Sequence, residues 1–197
     1  MQQTRDELLK RFHELQAEVE KRFEEILQEG REEFQYQLRK GKVYFRKEIR
    51  EINRSYKIAV PRYIRHAQLR NIASAPLIYS VILPLVVMDL FVTVYQAVCF
   101  RIYRIPLVKR SDHIILDRHK LDYLNAIEKL NCLYCGYGNG LISYFREIFA
   151  RTEQFWCPIK HSRHTHAMHA RTEKFVEYGD AKAYRKRLAE LRQDWDD

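Results

Sequence analysis

The feature that most constrains this chain is a run of 26 residues with a single charge. The run, APLIYSVILPLVVMDLFVTVYQAVCF, covers residues 75–100, and its one charged residue is Asp89. About 20 apolar residues suffice to cross a hydrocarbon core of about 30 Å. Tyr79 and Tyr95 lie near its ends, where interfacial aromatic residues occur. The sequence therefore predicts a membrane-associated segment over 61–105; the alternative is a buried helix of a soluble protein.

Both flanks of this run are basic. The positive-inside tendency predicts that both lie in the cytoplasm, which one crossing cannot provide. A re-entrant helix-break-helix hinged at Pro84 would provide it, because protein can cover non-helical backbone at membrane depth. A simple crossing is the open alternative. The basic residues are Arg46, Lys47, Arg50, Arg54, Lys57, Arg62, Arg65 and Arg70 before the run, and Arg101, Arg104, Lys109, Arg110, Arg118 and Lys120 after it.

Asp89 is a carboxylate inside an apolar segment, where such a group faces protein, water or a partner. It could serve as a proton or ion site. It could instead make a polar contact between subunits, to an arginine or to Gln96. We favour the contact, because the segment holds no second acidic residue and no histidine for a relay.

Aromatic residues recur at an interval of eleven through the first 60 residues. Eleven residues make three turns at about 3.67 residues per turn, so an apolar stripe stays nearly straight along such a helix. The sequence predicts one amphipathic helix from Thr4 to about Lys57, about 80 Å long, that ends before Pro61. The repeated residues are Phe12, Phe23, Phe34, Phe45 and Tyr56.

The stripe of this predicted helix needs a cover, because a thin apolar stripe does not stabilise an isolated helix in water. Residues 1–30 carry five basic and eight acidic side chains, whereas residues 31–60 carry nine basic and four acidic ones. The acidic first half disfavours anionic lipid, so we expect self-association through residues 1–60. Gly30 and Gly41 would let two backbones approach. A helix on a lipid surface and a helix packed on its own core are the alternatives.

Three cysteines and one histidine follow the spacing C-x2-C-x21-C-x3-H. They are Cys132, Cys135, Cys157 and His161. A C-x-x-C turn lets two thiolates hold one ion, and Gly136 would relieve the crowding of that turn. Three thiolates and one imidazole close a tetrahedral shell with no position for water, which is typical of structural zinc.

Two further histidines, His164 and His166, could replace His161 in this site. The other interpretation is that the cysteines are reduced thiols of a packed core. We expect the metal to hold together a small helical domain over residues 106–178, followed by a charged C-terminal helix over 179–197 with Trp195 as its anchor.

The segment CLYCGY resembles a rubredoxin or zinc-ribbon knuckle, and CPIKH resembles the second knuckle with histidine one position late. The longer stretch EKLNCLYCGYGNGLISYFREIFARTEQFWCPIKH resembles an uncharacterised bacterial membrane-associated family in which an apolar segment precedes such a region. That resemblance implies no established activity. Four thiolates would suit iron and electron transfer, whereas the histidine favours zinc; iron is the alternative cofactor.

Together these patterns predict a mainly α protein at the bacterial inner membrane, with most of the chain on the cytoplasmic side. The opening residues lack the apolar core of a secretory signal. The net charge of +9 suits anionic lipid as a partner. We expect a non-catalytic membrane-anchored assembly or accessory protein, with no small-molecule substrate identified. A membrane-associated redox module is the alternative, and a nucleic-acid-binding zinc protein, which the apolar run disfavours, is the third.

Overall fold

The computed structural model describes residues 2–33, 36–39, 42–163 and 168–195. The protein is mostly helical, which confirms the mainly α prediction. It divides into two compact units. The first comprises Met1–Ile58 with Leu121–Asn125, and the second comprises Ala59–Lys120 with Ala126–Asp197.

The first unit begins with helix α1, Gln2–Glu33, which has 32 residues and is about 48 Å long. Residues that favour helices, such as Glu, Leu, Gln, Lys and Arg, dominate it. Its apolar residues are spaced by three or four, so they form one stripe. The stripe is exposed along its length: Phe12, Leu15, Val19, Phe23 and Ile26.

The predicted continuous helix from residue 4 to 57 is wrong beyond Glu33. Strands β1, Tyr36–Arg39, and β2, Lys42–Phe45, pair antiparallel, with Arg39 opposite Lys42. The cause is local, because YQLR alternates apolar and polar residues and KVYF is rich in β-branched and aromatic residues, which favour a strand over a helix.

The eleven-residue row therefore does not form one stripe. Phe34 lies outside the described residues, Phe45 lies in β2, and Tyr56 follows helix α2, Lys47–Ser55. Within this unit, Nε of Arg50 donates to Oδ2 of Asp122 at 2.8 Å. That hydrogen bond and the carboxylate charge raise the pKa of Arg50.

The second unit contains the apolar run. Helix α3, Val60–His66, precedes α4, Leu69–Ser80, and α5, Ile82–Tyr95. A π-helical turn, Gln96–Phe100, and a short helix α6, Arg101–Tyr103, continue α5. Together α4 to α6 make one helix of 35 residues, Leu69–Tyr103, which is long and apolar enough to cross a membrane. We call it the apolar helix.

The predicted reversal at Pro84 is not formed. The helix is interrupted at Val81, whose φ of −62° and ψ of −20° stay in the right-handed helical region, so its direction is kept. Pro84 explains the position of this interruption. It has no backbone N–H, and its ring crowds the carbonyl of Ser80, four residues earlier.

After the apolar helix the chain turns at Arg104, which has a left-handed φ of 58°. Residues 105–120, which we call the return segment, include the short helix α7, Arg110–His113, and a 3₁₀ turn, Arg118–Lys120. Helix α8, Ala126–Trp156, then has 31 residues.

Helix α8 runs parallel to the apolar helix. Near its start the hydroxyl of Tyr134 donates to the carbonyl of Ile78 at 2.7 Å, and near its end Thr152 lies 2.9 Å from the hydroxyl of Tyr95. The core of this unit lies between the two helices and the return segment. Its buried residues are Val92, Phe100, Ile105, Val108, Leu141, Tyr144, Phe145 and Ile148.

The C-terminal part of the chain packs on the end of α8. Arg171 is 6% exposed, and its Nη2 donates to Oε1 of Glu147 at 3.0 Å. Helix α9, Ala181–Leu191, follows, and Trp195 packs against the core. A helix thus forms in the C-terminal region where one was predicted, over 181–191 rather than 179–197, and Trp195 lies after its end.

Candidate functional site

The cysteines do not come together within the chain. Cys132 and Cys135 lie inside α8, and Cys157 directly follows its last residue. The 22 positions from Cys135 to Cys157 correspond to about 33 Å of helix. Zinc binds each thiolate at about 2.3 Å, so one ion cannot reach both cysteines. The predicted C-x-x-C turn is wrong because this stretch is helical.

In the part of the chain that the structure describes, the predicted histidine ligands do not complete a metal site with these cysteines. His161 is exposed, and His164 and His166 lie outside the described residues. Among the described residues, no group of three or more His, Cys, Asp or Glu side chains could hold a metal ion. Burial and then the charge of Glu153 raise the pKa of Cys157, which opposes the thiolate that a metal needs. These residues fit neither zinc nor iron as arranged here.

Two glycines of this stretch, Gly136 and Gly140, serve helix packing instead. A Cβ on Gly140 would lie 2.8 Å from the carbonyl oxygen of His113 and from Cα of Ile114, so only glycine admits the return segment there. A Cβ on Gly136 would lie 3.2 Å from Leu116. Gly138 faces another way, with Leu85 at an ordinary 3.6 Å.

The polar group that the structure does assemble surrounds Asp89, whose side chain is 14% exposed. Arg110 makes a bidentate contact, with Nη1 at 2.5 Å from Oδ1 and Nη2 at 2.6 Å from Oδ2. The hydroxyl of Tyr137 donates to Oδ2 at 2.7 Å, and the hydroxyl of Thr93 donates to Oδ1 at 3.2 Å. Each of the two carboxylate oxygens thus accepts two hydrogen bonds.

This geometry fixes the protonation of the surrounding groups. Hydrogen bonding to Asp89 raises the pKa of Arg110, so the guanidinium stays charged. Burial, followed by the hydrogen bond to Asp89, raises the pKa of Tyr137, so its hydroxyl stays a donor. The arrangement favours a polar contact over a proton relay, and Arg110 of the same chain provides that contact.

A second polar contact lies one to two turns further along the apolar helix, at the buried Gln96. Its Oε1 accepts from the backbone N–H of Val108 at 2.9 Å, and its Nε2 donates to the hydroxyl of Tyr144 at 2.9 Å. The guanidinium of Arg110 stands 5.7 Å from the centre of the Tyr144 ring, within the range of a cation–π contact.

Tyr137, Tyr144 and Arg110 belong to this site but are not predicted from the sequence. The two tyrosines are seven residues apart, which places them on one face of a helix. That spacing could have predicted that both hydroxyls lie on the same side of α8. Arg110 is 21 residues from Asp89. Nothing in the neighbouring sequence indicates that this arginine, and not another, pairs with Asp89.

The apolar helix therefore has two faces. Its inward residues are spaced by three or four and contact the core: Asp89, Val92, Gln96 and Phe100. The opposite face is apolar and uncovered, with Phe91 70% and Leu83 67% exposed. It continues through Val87, Leu90, Val94, Val98 and Ile102. A helix of a soluble monomer rarely leaves so long an apolar face in water.

Comparison with known proteins gives no relative for this chain. No protein-family model, curated protein or solved structure matches it. The apolar helix is thus bound to its own chain through its polar side, while its apolar side is exposed.

Proposed function

We propose that this chain is a non-catalytic membrane-anchored assembly protein. The observation that carries the proposal is the uncovered apolar face of the helix Leu69–Tyr103. Burying one large apolar side chain contributes about 1.5–3 kcal/mol. Several such side chains in one row supply enough free energy to hold a protein at a membrane.

The Asp89 cluster supports the anchoring proposal in a structural role. A carboxylate in an apolar segment destabilises insertion unless a partner covers it. Arg110, Tyr137 and Thr93 supply four hydrogen bonds to it. The cluster would thus let the helix enter lipid without an uncompensated charge.

The assembly proposal concerns helix α1. Its stripe is exposed within the chain, with Val19 65% and Phe23 61% exposed. The rest of α1 is highly charged, so the stripe itself is the surface for association. A second copy of α1 offers the same repeat, and the stripes of identical helices are complementary in length and spacing.

Fractionation and detergent extraction of the full chain test the anchor. We expect the protein to stay with membranes after a salt wash and to require detergent for release. The double variant Leu90→Gln, Phe91→Gln should shift to the soluble fraction, because it removes about 3–6 kcal/mol of apolar transfer. Ile115→Gln is the matched control, since Ile115 is 61% exposed but lies in the return segment. Solubility of the unchanged chain without detergent would contradict the anchor.

Sedimentation of the full chain in detergent tests the assembly. We expect an oligomer that Phe23→Lys weakens about tenfold or more, because the change removes a large apolar contact from the stripe. Ala17→Lys introduces the same charge on the opposite side of α1 and should leave the oligomer intact. A monomeric unchanged chain, or equal effects of the two variants, would rule out association through this stripe.

A further inference from the structure

We infer that the apolar helix lies in the plane of an anionic membrane surface and does not cross the bilayer. This inference rests on the proposed membrane anchoring and specifies its geometry. It follows from the path of the chain beside the helix, from the faces of the helix and from the charges at its two ends.

The return segment runs back along the apolar helix. Val108 bonds to Gln96, and Arg110 bonds to Asp89, one to two turns nearer the start of the helix. Further on, Ile114 packs against Gly140 of α8, and Leu116 packs against Gly136. The segment therefore passes the middle of the apolar helix at close range.

A crossing helix would take this segment into the bilayer. Residues 114–117 have no regular secondary structure, and irregular backbone does not occur in contact with lipid at that depth. Ionised side chains there are strongly unfavourable. Outside the Asp89 cluster, the exposed charged residues of the segment are Lys109, Asp112, Arg118 and Lys120.

An in-plane helix avoids this conflict. The inward residues Asp89 and Gln96 contact the return segment, whereas Leu90, Phe91 and Val94 point away from it. When Leu90, Phe91 and Val94 lie in the acyl region, the return segment faces water or the headgroups. Interfacial helices are oriented in this way, with the apolar face inserted and the polar side outside.

The charges at both ends of the helix identify the lipid class. Arg62, Arg65 and Arg70 are exposed before or at its start, and Arg101 and Arg104 are exposed at its end. Because the helix is about 52 Å long, a crossing orientation would put these two groups on opposite surfaces. In the plane, both groups meet the phosphates of one anionic leaflet, which also satisfies the tendency of both flanks to stay on one side.

Depth-dependent fluorescence quenching by brominated lipids tests the orientation. Leu83→Trp, Leu90→Trp and Val98→Trp would be made singly in a full-length chain carrying Trp156→Phe and Trp195→Phe. These positions extend over about 22 Å of helix axis. We expect the same shallow depth for all three. Lys109→Trp, on the return segment, is the control and should not be quenched.

A second measurement uses the unchanged chain and does not depend on these substitutions. Vesicle-bound protein would be treated with a membrane-impermeant amine reagent, and the modified lysines identified by mass spectrometry. In-plane binding leaves Lys109 and Lys120 reactive. Vesicles of phosphatidylcholine mixed with phosphatidylglycerol should bind the protein about tenfold or more tightly than phosphatidylcholine alone, and added salt should reduce the difference.

Each other outcome overturns a defined part of the inference. Unequal depths, with the tryptophan at position 98 shallower than those at 83 and 90 and with Lys109 protected, would mean that the helix crosses. Vesicle binding without quenching at any of the three positions would mean that a second copy covers the face. Equal binding to both vesicle types would remove the anionic specificity. Failure to bind vesicles at all would instead refute the proposed membrane anchor.

Discussion

Replacing Gly140 with alanine tests the packing of the return segment on α8. Both Gly138 and Gly140 lie in the interior of α8, where alanine is favoured over glycine by about 0.8–1 kcal/mol. The difference between the two sites is the space beside them. At Gly140 the new Cβ would lie 2.8 Å from two backbone atoms, whereas at Gly138 its nearest neighbour would be a leucine methyl at 3.6 Å.

The expected effects have opposite signs. Overpacking a tight contact costs about 1–3 kcal/mol, and the neighbours of Gly140 are backbone atoms that cannot rotate away. Gly140→Ala should therefore destabilise the protein by up to about 2 kcal/mol, once the gain in helix propensity is subtracted from the cost of overpacking. Gly138→Ala should stabilise it by about 0.5–1 kcal/mol, because its new contact is of ordinary length.

Denaturant unfolding of the full chain in mild detergent, followed by circular dichroism, measures both changes. Hydrogen exchange localises them, since Gly140→Ala should speed exchange of the amides in residues 113–118 while Gly138→Ala should not. Equal stability of the two variants would refute the close approach, and with it the packing on which the path of the return segment depends.

Three further changes have defined outcomes. Arg110→Met should reduce unfolding free energy by about 1–3 kcal/mol, because it leaves a carboxylate that is 14% exposed with fewer donors, while its own partial exposure limits the loss. Arg171→Met should reduce the unfolding free energy by about 3 kcal/mol, because Arg171 is buried in its ion pair with Glu147. Lys160→Met should reduce it by less than about 1 kcal/mol, because its ion pair with Glu177 is exposed. Equal losses in denaturant unfolding would contradict this ranking. Glu153→Gln should speed alkylation of Cys157 at neutral pH, because removal of the negative charge lowers the thiol pKa and raises the thiolate fraction. Mass spectrometry measures the alkylation rate. An unchanged rate would exclude the effect of the Glu153 charge.

Periodicity predicted helix α1 well but missed its end. The stripe from Phe12 to Ile26 is a local pattern that needs only the geometry of one helix. The same interval continues through residues 34–45, where aromatic and aliphatic residues favour strands. The eleven-residue interval and the strand-favouring residues overlap there, and the interval alone does not reveal the strands.

Cysteine spacing failed for a different reason. A C-x2-C-x21-C-x3-H pattern indicates a shared ion only if the chain between its halves folds back. Here that chain is part of one helix, so Cys135 lies within α8 and Cys157 lies directly after its far end. Gly136, which suggested a turn, lies inside the helix in a tight contact with Leu116, and its position after Cys135 alone does not distinguish the two roles.

Composition and order along the chain determined the apolar helix, the charged stripe-bearing helix α1 and the C-terminal helix. These elements follow from hydropathy and spacing over neighbouring residues, which are properties of the sequence itself. The tertiary structure alone decided that Arg110 neutralises Asp89, that α8 runs parallel to the apolar helix, and that the return segment lies beside it. Those contacts join residues 12 to 57 positions apart, so they depend on packing of the whole unit. That packing leaves one face of the apolar helix exposed.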